Sequence, residues 1–240
     1  MEPEDEVNGG KNVFKVDKEL QDKLERKYQQ FKLNVTEFNL EDIKIRIQSR
    51  IYEEFLGFSE DEAKEIFKKA CVKFIGFCYK NQIPCKKLHV LVLTDDEIDR
   101  GLHWVAQMED DNSLWGYVFI PPMDLRLAYG FWLYTFLHEL SHCWLSAEYP
   151  KPQSYALADY EIFVDLVAIC ILREIIPPHK KLYRDVIKYR SYIGGKEGQQ
   201  YFGKDGHRYV LQQTESHLKT FMGEIHKRIE TSGKLGSSKD

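Results

Sequence analysis

The chain has 240 residues, 43% apolar and 13% aromatic, enough to fill the core of one large domain or two small ones. Its 34 basic and 38 acidic side chains nearly cancel, to a net charge of −4, which excludes a case for nucleic acid or anionic membrane built on overall charge. The opening "MEPEDEVNGGKN" has neither the basic start nor the apolar centre of a signal peptide, and no apolar run reaches membrane-spanning length.

Residues 1–16 and 230–240 read as solvated tails. A helical segment is expected over 17–57, where Ile43, Ile47, Ile51 and Phe55 recur every four residues behind Asn39 as a cap. Ser59 and Glu62 make a capping-box pattern that opens a second amphipathic helix. Its buried face is marked by Ala63, Ile66, Phe67, Ala70, Phe74 and Phe77, and it ends near Asn81. The texture then changes to short apolar runs. "LHVLVLT" (88–94) reads as a central strand and "SLWGYVFI" (113–120) as an edge strand, closed by Pro121 and Pro122. Asp124 is expected to cap a long central helix that runs until Pro150, and a second apolar helix follows over about 155–176, stopped by Pro177 and Pro178.

Residues 58–180 thus form the main domain, with 181–229 as an extension. In that extension "HKKLYRDVIKYRSY" is basic and aromatic and reads as a solvated helix face rather than a nucleic-acid contact. The five cysteines, Cys71, Cys78, Cys85, Cys143 and Cys170, are odd in number and lack C-x-x-C spacing. They suit buried thiols in a reducing compartment, so the expected location is the cytoplasm.

Chemistry concentrates in "HELSH" on the first apolar helix: His138, Glu139, Leu140, Ser141 and His142. Histidines four apart share one helix face, close enough for both imidazoles to reach a single metal ion. Glu139 is rotated about one residue from His138, which sets its carboxylate beside a metal-bound water; this is the H-E-x-x-H zinc signature. Two histidines do not complete a zinc site, and the next helix carries acids where an oily helix should have none. Glu161 follows His142 with eighteen residues between them, and Asp165 lies four residues on. Burying such carboxylates without compensation costs several kcal/mol or more. Read alone, Glu161 also suits a helix start favoured by the dipole, and Asp165 a hydrogen-bonded core acid. Asp159 and Glu148 are further candidates for the third ligand.

H-E-x-x-H, then eighteen residues, then E-x-x-x-D resembles the glutamate-ligand zincins, the group to which thermolysin belongs. Within it the chain is most similar to the ImmA/IrrE-type metallopeptidases over about 58–178, with Tyr134 where a phenylalanine is frequent. The resemblance implies an α+β fold: a zincin-like core with a small mixed sheet and two buried helices, plus extra N- and C-terminal helices. It makes His138, His142 and Glu161 the ligands of Zn2+, and Asp165 the acceptor for an imidazole N–H. It also implies a metallopeptidase acting on a protein or peptide, with no membrane or nucleic acid as partner. Glu139 is then the general base toward a water whose pKa zinc lowers to about 7. "SLWGYVFI" is the strand expected to align an extended peptide, or else a structural strand covered by the extra helices. Tyr155 is the first candidate to stabilise the oxyanion, ahead of Tyr160, His207 and Tyr209; His179 and His207 are possible accessory ligands. The competing reading is a binding or regulatory module of the same fold with little activity, against which the intact Glu139 speaks.

Overall fold

The computed structural model describes residues 22–23, 26, 35–40, 43–81, 88–107, 114–148, 157–177, 179–182 and 184–186. The chain divides into two compact units, Met1–Leu33 and Asn34–Asp240. The second holds a mixed α/β arrangement of one small five-stranded sheet and several helices. Strands β1 (Val35–Leu40) and β2 (Ile43–Gln48) are followed by a single wide helical turn (Ile51–Leu56) and helix α1 (Glu60–Lys80). Strands β3 (His89–Leu93), β4 (Leu102–Gln107) and β5 (Leu114–Phe119) come next. A four-residue helix α2 (Pro122–Leu125) leads into the long helices α3 (Tyr129–Glu148) and α4 (Leu157–Ile175). Among the described residues no helix is long and apolar enough to cross a membrane.

The helix expected behind Asn39 is instead the pair β1 and β2, joined antiparallel with Leu40 opposite Ile43. A spacing of four is a multiple of two, so Ile43, Ile47 and Ile51 fit a strand as well as a helix. The strict alternation Ile43-Lys44-Ile45-Arg46-Ile47-Gln48 is the stronger signal, and β-branched residues favour it. Ile45 and Ile47 are fully buried, while Lys44 and Arg46 are half-buried on the other face. Ser59 and Glu62 do form the reciprocal capping box at the start of α1, with the Ser59 N–H donating to the Glu62 carboxylate at 2.8 Å.

The strands lie in the order β1-β2-β3-β5-β4. β2, β3 and β5 are parallel, and β1 and β4 close the two ends antiparallel. The strand expected at the edge, 113–120, is therefore an interior one. β5 sits between β3 and β4 and is buried from Trp115 to Phe119, as a strand covered on both faces must be. The edge on this side is β4, which precedes β5 in sequence and lies outside it in space.

One face of the sheet carries Ile45, Ile47, Val90, Val92, Val118 and Ile120 into the core with α1, α3 and α4. Edge-to-face packing of Phe67 on Phe136, ring centroids 4.9 Å apart, ties α1 to α3. The opposite face stacks Trp104 on Tyr117 and Phe119, at 5.0 and 4.8 Å. Cys71, Cys78 and Cys143 are buried free thiols and Cys170 is half-buried; burial alone pushes Cys71 up to about 12. Asp124 does not cap the long helix. It lies within α2, buried, and accepts the Thr135 hydroxyl at 2.5 Å, while α3 begins later at Tyr129.

Candidate metal centre

Helix α3 is apolar nearly all round because it is enclosed by the sheet, α1 and α4: Trp132, Leu133, Phe136, Leu137 and Trp144 are at most 1% exposed. Its polar residues are enclosed with them. His138, Glu139 and His142 are buried, as is Asp165 on α4. Holding four ionisable groups out of water costs several kcal/mol for each one left charged and unpaired, so their contacts decide whether the helix pair is stable.

Four-residue spacing sets Tyr134, His138 and His142 along one face of α3. The Nε2 atoms of His138 and His142 face each other at 3.1 Å. Asp165 reaches across from α4: its Oδ1 lies 2.7 Å from His138 Nδ1 and also accepts the Tyr134 hydroxyl. The contact has an ion pair's distance without a hydrogen bond's geometry, and a carboxylate this close favours a proton on Nδ1 over one on Nε2 by charge alone. Two nitrogens this close either share a proton or share a cation.

Glu139 points toward the sheet. Its Oε2 lies 2.8 Å from Nδ1 of His103, and its Oε1 lies 3.9 Å from His138 Nε2. His103 is on the edge strand β4, and its ring stacks on that of His142 with centroids 4.2 Å apart and planes 6° from parallel. Gly101, just before β4, makes room for this carboxylate, since a Cβ there would overlap Glu139 Oε1 and crowd Thr135. Burial acts to raise the Glu139 pKa. The His103 hydrogen bond, with the charge available on His138, His103 and His142, outweighs it and holds the carboxyl below its ordinary 4.5. Among the described residues, His103, Glu139 and His142 offer ligand atoms that all lie within 4.8 Å of one another, a spacing that could hold a metal ion, but His103 Nδ1 is not available to an ion while it donates to Glu139.

No protein-family model, curated protein or solved structure matches this chain. What the site can do follows from its own donor set. The fold brings His138, Glu139, His142 and Asp165 together from two helices. Glu161 lies on α4 one turn before Asp165, and its side chain, like those of Asp159, Tyr160 and Glu148, lies outside the described residues. Tyr155, His207 and Tyr209 lie outside them altogether, and His179 is exposed. Sequence reasoning missed His103. The run Leu102–Gln107 is short and mostly apolar between acidic stretches, which is a strand signal, but nothing local marks its histidine as part of a site.

Proposed function

We propose that the chain is a zinc-dependent metallopeptidase that hydrolyses a peptide bond in a protein or peptide substrate. The observation that carries this reading is the pair of Nε2 atoms at 3.1 Å, one of them on a ring whose other nitrogen lies 2.7 Å from the Asp165 carboxylate. Two nitrogens at about 2.0–2.1 Å from a tetrahedral zinc stand about 3.3 Å apart, so the spacing fits two ligands of that ion. A carboxylate holding the other nitrogen of a ligand histidine is the usual outer partner of zinc. His138 and His142 are two of the proposed ligands. Glu161, on the facing helix one turn before Asp165, is the third.

When bound, zinc supplies Lewis acidity, making water a nucleophile near neutral pH and polarising a carbonyl. The chain's own residues do the rest. Glu139 is a carboxylate, held below its ordinary pKa and directed beside the histidine pair, so it can take a proton from water at a side-chain oxygen. The same carboxyl then returns that proton to the leaving amine nitrogen. Strand β4, at the end of the sheet and against α3, is positioned to pair with an extended peptide by main-chain hydrogen bonds, the task first expected of 113–120.

The test is metal analysis together with two variants. Protein purified without chelators is expected to carry about one zinc per chain. His142→Ala should lose it. Glu139→Gln should keep the metal and lose hydrolysis. A chain without tightly bound zinc would sink the reading, and zinc retained with no hydrolysis of any substrate trapped by Glu139→Gln would favour the binding-module alternative.

A further inference from the structure

We propose that His103 is the positioning residue of this site: from the edge strand it holds the Glu139 carboxylate through Nδ1–H and sets the ring plane of His142 by stacking. The inference rests on the metallopeptidase reading for what it says about catalysis, while the contact itself stands without it.

Three observations converge on one side chain. First, the 2.8 Å contact joins Nδ1 to Oε2, and a carboxylate can only accept, so the imidazole donates from Nδ1. Second, the ring lies 6° from parallel to His142 at 4.2 Å, which leaves His142 little freedom to rotate away from His138. Third, Gly101 stands two residues before His103, where any side chain would displace the other oxygen of the same carboxylate. Strand β4 thus shapes both oxygens of Glu139, one by a donor and one by a vacancy in the backbone's side-chain row.

Strand register explains why His103 and not a neighbour does this. His103 pairs with Val118, which is fully buried on the face packed against the helices. Trp104, one residue on, pairs with Tyr117 and stacks on the opposite face. A one-residue slip would turn the imidazole away from α3 altogether. The strand best placed to align an extended peptide therefore also carries the group that orients the base. Peptide pairing and base orientation become coupled through a single backbone.

A positioning role differs from a ligand role in what it leaves intact. Outer partners of a metal site typically contribute about 10- to 100-fold in activity. His103→Ala is expected to lower kcat by about 10- to 100-fold, with KM and zinc content unchanged. His103→Asn, whose amide nitrogen can occupy the place of Nδ1, should restore most of the loss, and His103→Gln should restore less. In the isotope-labelled full-length protein, the His103 ring should carry its proton on Nδ1, and its resonance should move in Glu139→Gln. This last readout needs no substrate, so it tests the inference even if the chain proves not to be a peptidase. A His103 ring protonated only on Nε2 would overturn the inference, as would wild-type kcat in His103→Ala or loss of zinc in step with activity.

Discussion

On one oxygen Asp165 accepts the Tyr134 hydroxyl and lies 2.7 Å from His138 Nδ1, and its charge there favours leaving the other nitrogen of His138, the one that faces His142, free of a proton. Asp165→Asn keeps the size of the side chain but removes its charge and lets the amide turn a donor toward Nδ1. Zinc affinity is expected to fall about 10- to 100-fold, measured by competition with a chromophoric chelator, with the fold retained. Unchanged affinity would make Asp165 an ordinary hydrogen-bonded core acid. The proximity of an acid on α4 to the histidines was legible in the sequence, because a carboxylate in an oily helix needs a partner. His103 was not legible. An isolated histidine in a six-residue strand is silent until the register says which way it faces.

Where α3 meets the sheet, the contact is as close as backbone and side chain allow. A Cβ on Gly116 of β5 would meet Cys143 Cβ at 3.0 Å and Leu88 Cδ2 at 3.3 Å. These are buried atoms of the packed core, and a methyl group there cannot be absorbed by an end of a flexible chain. Gly116→Ala is expected to destabilise by about 1–3 kcal/mol, read from denaturant midpoints at constant m-value. Because Cys143 follows His142 directly, a shift of α3 there also disturbs the histidine pair, and zinc affinity should fall along with stability. Among the elements, α1, α3 and α4 follow from local signals: a capping box, continuous apolar faces and flanking prolines. β1 and β2 were lost because isoleucines four apart satisfy both periods, and the alternation between them carries the decision.

At the scale of the whole molecule, the proposed metal joins α3 to α4, two helices that also supply much of the core beneath the sheet. An ion that binds only the folded chain stabilises it by mass action, about 2.7 kcal/mol at a hundredfold excess over Kd. Chelation is therefore expected to lower the thermal midpoint by about 5–10 °C for a chain of this size, and added zinc should restore it. A midpoint indifferent to chelator in protein shown to lose its zinc would mean that the helix pair holds without the ion. The sheet itself offered no such local handle. Three strands follow one another as β3, β4 and β5, yet β5 takes the place beside β3 and leaves β4 at the end.

By itself the sequence determined the helix that presents His138, Glu139 and His142, because residues four apart share a face wherever a helix forms. It also determined that a second buried helix returns with acids, since side-chain chemistry and hydrophobic pattern are both local properties of the chain. Only the tertiary structure decided that β4 is the edge, that Gly101 opens beneath Glu139, and that His103 turns toward α3 rather than away from it. Strand order and register depend on pairings between residues far apart in the chain, and the energies of competing pairings differ by packing that no local window contains.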